Sequence, residues 1–258
     1  MDYLKKILIH KKNNLPDMGK KTKSKNRGFG KNFNTDTINM IAEIKAASPS
    51  KGILDKNLNK EEAAKQYSRH SSFIKGISVL TEPLYFKGCA GDIKNIKKSC
   101  SLPVLRKDFI IYPAQVYESA SLGADCILLI ASLMSTRRLK YLYKLAKKLG
   151  MEVLVEAHNP QELSKAVHIG ASLIGVNNRN LKNLQVDRDH ALSVLKQAKK
   201  TAHITYIMES GISSLDHICR LYEQGIQNFL VGTYFMKAKS LEVTLQCMEV
   251  AFKRRGLI

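Results

Sequence analysis

Ile41-Ala42-Glu43-Ile44-Lys45-Ala46-Ala47-Ser48-Pro49-Ser50-Lys51-Gly52 begins as a buried strand and ends as a loop of Ser, Pro and Gly. Ile41, Ala42 and Ile44 form its apolar run, and Glu43 and Lys45 interrupt it. An unpaired buried charge is costly, so charges at such positions need a partner. Side chains two residues apart on a strand share a face, so Glu43 and Lys45 can pair with each other. Two readings fit this stretch: an ordinary surface strand, or a catalytic pair at the mouth of a barrel.

Further short apolar runs begin near Ile77, Pro103, Cys126, Glu152, Ser172, Ile204 and Asn228. The mean spacing of about 27 residues is that of one strand, one helix and two loops. The runs alternate poorly, as parallel strands covered on both faces do. Helices are expected between them, over 60–70, 90–98, 113–122, 135–149, 159–168, 187–199, 214–224 and 240–255. In the longest of the internal ones, Tyr141, Leu142, Leu145, Ala146 and Leu149 keep the i, i+3, i+4 spacing of an amphipathic helix. Gly123, Gly150 and Gly170 stand where helices should stop. Eight such units predict an α/β fold, a (β/α)8 TIM barrel. An open doubly wound sheet is the alternative, and the even unit size favours closure. The barrel is expected over 38–258, preceded by a helical and flexible extension over 1–37, in a single domain overall. Within the extension, 1–13 reads as a helix with Leu4, Ile7 and Leu8 on one stripe, and the Lys/Gly/Asn-rich 14–35 as a connection that ligand binding orders.

With 258 residues, 44% of them apolar, the chain can bury a large core. No apolar run approaches the ~20 residues that cross a bilayer, and the N-terminus lacks a signal-peptide pattern, so a cytoplasmic protein without membrane contact is expected. Cys89, Cys100, Cys126, Cys219 and Cys247 are odd in number and widely spaced, which argues for reduced thiols and against a zinc site. The net charge is +20, of which residues 1–31 contribute +8 through ten Lys/Arg and two Asp. Such an excess suits nucleic acid or an anionic small substrate. Apart from Tyr3 and Phe29 no aromatic residues interleave the basic run as a base-stacking platform requires, so no nucleic-acid partner is expected.

Barrel enzymes carry their chemistry at the C-terminal ends of strands. Here the successive runs end in Glu43, Lys45 and Ser48; in Thr81-Glu82-Pro83, followed by Leu84, Tyr85 and Phe86; in Lys107-Asp108-Phe109; in Ala131-Ser132; in Glu156; in Asn177-Asn178-Arg179-Asn180-Leu181; in Glu209-Ser210-Gly211-Ile212; and in Gly232-Thr233. Each has a plain reading as a turn or a helix cap. Together they put lysines, carboxylates and an Asn/Arg pair on one rim. Gly211 and Gly232-Thr233 lie after the last two strands, where barrels often bind phosphate, with Ser48 across the rim.

Several stretches resemble the indole-3-glycerol phosphate synthase family: IAEIKAASPSKG at 41–52, SVLTEPLYFKG at 78–88, LRKDFII at 105–111, Leu154–Glu156, GVNNRNL at 175–181, ESGI at 209–212 and VGT at 231–233. The resemblance covers the barrel, and a helical N-terminal extension is typical of the family. It implies closure, decarboxylation and dehydration of 1-(2-carboxyphenylamino)-1-deoxyribulose 5-phosphate to indole-3-glycerol phosphate, with no metal or organic cofactor. It assigns Lys107 as general acid, with Glu156 and Lys45 sharing the later steps and Lys45 also able to hold the substrate carboxylate. Glu43 and Glu209 would orient the two lysines. Asn177 and Arg179 would position substrate and Glu156. Ser48, Ser210, Gly211, Gly232 and Thr233 would surround the phosphate, and Phe86, Phe109 and Leu129 would line the anthranilate pocket. The division of acid and base roles stays open. The Thr233-Tyr234-Phe235-Met236 stretch departs from the family's Glu-Ser/Thr-Leu-Met pattern, and Asn180 stands where Asp is more common. The expected partner is a small phosphorylated substrate, and the chain is expected to be a monomer or weak homodimer. The competing readings are another phosphate-binding barrel, which would lack the Lys45, Lys107 and Glu156 set, and a degenerate barrel binding anionic polymers through its basic N-terminus.

Overall fold

The computed structural model describes residues 3–17, 22–50, 52–198 and 203–258. Its elements in chain order are α1 (Tyr3–Asn13), β1 (Asn39–Ile44), β2 (Ala47–Ser48), β3 (Gly52–Ile53), α2 (Lys60–Arg69), β4 (Ile74–Leu80), α3 (Asp92–Ser99), β5 (Val104–Lys107), α4 (Pro113–Ser121), β6 (Cys126–Ile130), α5 (Thr136–Lys148), β7 (Glu152–Ala157), α6 (Pro160–His168), β8 (Leu173–Asn177), α7 (His190–Gln197), β9 (Thr205–Glu209), α8 (Leu215–Glu223), β10 (Asn228–Val231), α9 (Thr233–Met236) and α10 (Leu241–Arg254). Single-turn 3-10 helices occur at Phe29–Asn32 and Ala131–Leu133.

Strands β1 and β4 to β10 close into a barrel in the order β1-β10-β9-β8-β7-β6-β5-β4, while β2 and β3 make a small antiparallel ribbon above β1. Each expected apolar run is a barrel strand. The helices follow from local chemistry. Asn59, Ser135, Asn159, Ser214 and Ser240 each accept a backbone N–H of the first turn that follows. Gly123, Gly150 and Gly170, with φ of 82°, 83° and 83°, follow the ends of α4, α5 and α6 in the left-handed region that those helix ends require.

Strand alternation divides the apolar side chains into two cores. Met40, Ala42, Ile44, Ile127, Leu129, Val153 and Val155 point outward against the helices. Ile41, Leu105, Cys126, Leu128, Ile130, Leu154, Leu173, Ile207 and Leu230 point into the barrel. This corrects one expectation: Leu129 belongs to the outer core and cannot line the pocket. Its neighbours Leu128 and Ile130 do so, because adjacent strand residues face opposite sides.

The polar connection over 14–35 is not a loose tether where it is described. Ser24 Oγ donates to Ala124 O at 2.7 Å, and the Arg27 N–H donates to Asp125 Oδ1 at 2.7 Å. The Arg27 guanidinium donates to the carbonyls of Lys97, Cys100 and Leu102, and the Gly30 N–H to Glu152 Oε2 at 2.9 Å. Ala124, Asp125 and Glu152 sit at the N-terminal ends of β6 and β7, and Lys97, Cys100 and Leu102 at the end of α3 and in the turn before β5, so the segment closes the bottom of the barrel. Phe29 is fully buried there, against Gly76, where an added Cβ would strike its ring. Residues 24–30 of the expected connection thus have their partners within the protein, and residues 18–21 lie outside the described residues.

Helix α1 lies at the opposite, C-terminal end of the barrel. Ile7 is fully buried, and Tyr3 and Leu4 pack on the interior cluster. Lys11 is 8% exposed, and its ammonium meets Asp108 at 2.7 and 2.9 Å. Asp108 also accepts from Thr81 Oγ1 at 2.7 Å and lies 3.4 Å from Arg106 Nη2. The chain thus passes from the top rim to the base before the first strand.

Two outcomes follow from this packing. Phe29→Ala should destabilise the barrel by about 3–5 kcal/mol in urea titration, as truncation of a buried Phe does, and a loss below about 1 kcal/mol would show that the base closes without it. Lys11→Met keeps the stem but leaves Asp108 short of a cation, a change that costs on the order of 3 kcal/mol when the pair is buried. Tryptic cleavage at Lys5, Lys6 and Lys12 should then accelerate at least about tenfold, and an unchanged rate would show that Ile7 burial alone docks the helix.

Candidate active site

Alternation brings the charged strand ends together. Glu43 on β1, Lys107 on β5, Glu156 on β7, Asn177 on β8 and Glu209 on β9 all point into the top of the barrel, above the apolar interior. Register places Glu156 opposite Gly175, Asn177 opposite Glu209, and Glu209 opposite Leu230. Lys107 Nζ lies 2.6 Å from Glu209 Oε2 and 3.1 Å from Glu156 Oε2. Beside this triad, Lys45 Nζ meets Glu43 Oε1 at 2.7 Å. The paired reading of residues 43 and 45 therefore holds, and the pair stands at a barrel mouth.

These groups are buried, so their charges control one another. Burial alone pulls the Lys107 ammonium down, but Glu156, Glu209 and Glu43 outweigh it and hold the lysine above its usual value. Burial pushes Glu156 up, yet Lys107, His158 and Asn177 together hold it below the carboxylate range. Glu209 is raised by burial and by the Glu156 charge, against the pull of Lys107, to about 7. One ammonium shared by two buried carboxylates leaves Glu209 the less stabilised of the two.

Every site residue expected from sequence except Leu129 lines one cavity: Glu43, Lys45, Ser48, Phe86, Lys107, Phe109, Glu156, Asn177, Arg179, Glu209, Ser210, Gly211, Gly232 and Thr233. Tyr3, Pro49, Ser50, Leu128, Ile130, Leu181, Leu184 and Leu230 also line it and were not expected. Tyr3 is the least legible of these. It sits in the extension and reaches the mouth through α1, where its ring meets Tyr85 edge-on at 5.9 Å.

The loops are held by buried side chains. Glu82, fully buried, accepts the N–H groups of Leu84, Tyr85 and Phe86 at 2.9, 2.8 and 3.2 Å and so folds the turn that presents Phe86. Asp108 accepts the Phe109 N–H at 2.8 Å. Asn178 donates to Ser210 O at 3.0 Å and accepts from Ala191 N at 2.7 Å, bracing the turn after β9. In that turn Ser210 has φ 64° and Gly211 φ 82°. Asn180 accepts from Lys182 N, a local turn contact. Arg179 Nη1 reaches Ser50 Oγ at 3.1 Å and Leu184 O at 2.9 Å, tying the loop after β8 to the loop after β1.

Gly232 has a structural reason that the sequence does not show. Its φ is −126°, which other residues can adopt, but an added Cβ would strike Glu43 and Lys45. Gly175 likewise leaves the space that Glu209 Oε1 fills. Both glycines make room for the buried charges before any question of phosphate arises.

Several buried polar atoms in the cavity lack protein partners. Ser48 Oγ, Glu156 Oε1 and Glu209 Oε1 have no hydrogen bond among the described residues. Such atoms are costly unless a ligand or water satisfies them. Among the described residues no group of three or more His, Cys, Asp or Glu side chains is placed to hold a metal ion, and no helix is long and apolar enough to cross a membrane.

Solved barrels resemble this chain at low identity. The 3-hexulose-6-phosphate synthase of Salmonella typhimurium superposes with a TM-score of 0.64 at 14% identity, over 84% of this chain and 99% of that one. That likeness shows the fold alone. Sequence relatives are more informative. The indole-3-glycerol phosphate synthase of Aliarcobacter butzleri is 40% identical over 242 residues, covering 92% of this chain and 90% of its own. That of Carboxydothermus hydrogenoformans is 44% identical over 212 residues, covering 81% and 79%. The family model for indole-3-glycerol phosphate synthase matches residues 4–248, from α1 into α10. The charged triad and the Lys45–Glu43 pair at the barrel mouth agree with the match along nearly the whole chain: this chain belongs to the indole-3-glycerol phosphate synthase family.

Proposed function

We propose that the chain converts 1-(2-carboxyphenylamino)-1-deoxyribulose 5-phosphate to indole-3-glycerol phosphate, CO2 and water, the step that builds the indole ring in tryptophan biosynthesis. The observation that carries this reading is Lys107 held between Glu156 and Glu209, with a second Lys–Glu pair beside it, in one cavity.

Ring closure requires a proton on the ribulose carbonyl oxygen as the arene carbon attacks. Lys107 is the acid we assign, since the surrounding carboxylates keep it charged and fixed. The carboxylate then leaves as CO2, and the electron pair of that bond restores the aromatic ring. Dehydration removes the new hydroxyl with a second proton and gives one ring proton to a base. Glu156 and Lys45 face the same space and share these steps in our reading. Glu43 and Glu209 hold the two ammonium groups. Asn177 helps to hold the Glu156 charge, and its side-chain Oδ1 accepts the Arg179 N–H at 2.9 Å. The aryl group fits against Phe86, Phe109, Leu128 and Ile130. The phosphate fits the corner of Ser48, Ser210, Gly211 and Thr233, where Ser48 Oγ has no partner among the described residues.

The direct test is the fluorescence of indole-3-glycerol phosphate formed by purified protein from that substrate, and a folded barrel that forms none would overturn the proposal. Lys107→Ala should lower kcat by about 10²–10⁴-fold, with substrate affinity little changed; turnover within threefold of the parent would remove it from the role. Ser48→Ala should raise KM roughly tenfold, as loss of a hydrogen bond to an anion does, with the melting temperature unchanged because Ser48 Oγ has no hydrogen bond among the described residues. An unaltered KM would place the phosphate elsewhere.

A further inference from the structure

The end of β5 and the turn after it carry Lys107, Asp108 and Phe109, and the barrel holds this stretch from both sides. The Thr81 N–H donates to Lys107 O at 3.1 Å, and Thr81 Oγ1 donates to Asp108 Oδ2 at 2.7 Å. Gln115 Nε2, from α4, donates to Phe109 O at 2.9 Å. Within the turn, the Phe109 N–H donates to Asp108 Oδ1 at 2.8 Å. One further contact comes from outside the barrel. The ammonium of Lys11, in the last turn of α1, lies 2.7 Å from Asp108 Oδ1 and donates to Oδ2 at 2.9 Å. Arg106 approaches Asp108 at Oδ2, at 3.4 Å, and is itself drawn to Glu118 at 2.7 Å. Lys11 is thus the cation nearest the oxygen that receives the Phe109 N–H. Burial pushes the Asp108 carboxyl up, but Arg106 and Lys11 outweigh it and hold Asp108 below its usual value.

A well-packed apolar pair would dock α1 as well as this buried ion pair does. It would not hold a carboxylate in the one rotation that presents Oδ1 to Phe109. Lys107 needs no such help from α1, because Glu209 at 2.6 Å and Glu156 at 3.1 Å, both on barrel strands, hold its ammonium. Phe109 differs. Its ring lines the cavity and belongs to the same interior cluster as Ile7 of α1, and its backbone N–H depends on the Asp108 oxygen beside Lys11.

We propose that Lys11 is a positioning residue for the aryl part of the substrate, acting through Asp108 on Phe109. The proposal rests on the reading of the reaction above, in which Phe109 borders the aryl group. It gives α1 an effect on substrate binding that is separate from the proton chemistry of Lys107 and from the phosphate corner.

The test uses the full chain with Lys11→Met, Lys11→Arg, Asp108→Asn and the Lys11→Met, Asp108→Asn double variant. Turnover of 1-(2-carboxyphenylamino)-1-deoxyribulose 5-phosphate is measured where circular dichroism shows each variant folded. Two competitive inhibitors probe the two ends of the cavity: 2-aminobenzoate, the aryl part of the substrate, and inorganic phosphate. In Lys11→Met, KM and the Ki of 2-aminobenzoate should each rise about tenfold, as loss of a hydrogen bond to a charged group does, with kcat within about threefold of the parent. The Ki of phosphate should stay within about twofold, and Lys11→Arg should bring KM back to within about threefold. In the Asp108→Asn background, Lys11→Met should change KM by less than about twofold, since residues that act through one another are not additive. Should Lys11→Met fail to fold, Lys11→Gln is read in the same assays. A KM within about twofold of the parent, an equal rise in the Ki of phosphate, a loss confined to kcat, or full additivity with Asp108→Asn overturns the role of Lys11. An inactive parent would overturn the reading of the reaction and the aryl role with it, whereas an active parent beside an unaltered Lys11→Met overturns the role of Lys11 alone.

Discussion

The Lys107 ammonium enters a closed barrel from one strand and meets carboxylates from two others, and the rest of the site is arranged around keeping that charge in place. A lone ammonium there would lose its proton or disrupt the core. With Glu209 at 2.6 Å and Glu156 at 3.1 Å, it stays charged. The carboxylates depend on it equally. Glu209, with the weaker share of a single cation, rises to about 7, while Glu156 gains further support from His158 and Asn177 and stays ionised. Three strands are thus tied by charge at the end where chemistry is expected, while the layer below is largely apolar.

That arrangement needs room and rigid surroundings. Gly175 and Gly232 supply the room, since a side chain at either would occupy the place of a buried carboxylate. The rigidity comes from buried polar side chains that bind loop backbone: Glu82 under the Phe86 turn, Asp108 under Phe109, and Asn178 under Ser210. Of these, Glu82 and Asn178 do not line the cavity. Each satisfies backbone groups that a loop would otherwise leave exposed or unpaired.

The N-terminal segment serves both ends of the barrel. Helix α1 reaches the catalytic face, where Lys11 joins the Asp108 network and Tyr3 borders the cavity. Residues 24–30 close the base through Asp125, Glu152 and the buried Phe29. Some of the lysine and arginine excess therefore has particular acceptors. Much of the remainder, including Lys140, Lys144, Lys147 and Lys148 on the outer face of α5, is exposed, and the structure gives no reason for it.

The repeat of strand and helix, the helix caps, and the polar residues that end apolar runs are local features, so the eight units and the positions of Lys45, Lys107, Glu156 and Glu209 were legible from the chain alone. Motif resemblance supplied their expected roles. Which neighbour of a pair faces inward was not legible in a strand that is apolar on both sides. Leu128, Leu129 and Ile130 are equivalent in chemistry, and only strand pairing and barrel closure settle that 128 and 130 meet the cavity. The same limit applied to the Lys/Gly/Asn-rich 22–35. Its composition is that of a linker, and its partners Asp125 and Glu152 lie about a hundred residues away. Glycines 175 and 232 looked like turn or phosphate residues because the side chains they accommodate come from other strands. In each case the deciding contact joins residues distant in sequence, and no local propensity encodes such a contact; it exists only once the barrel closes.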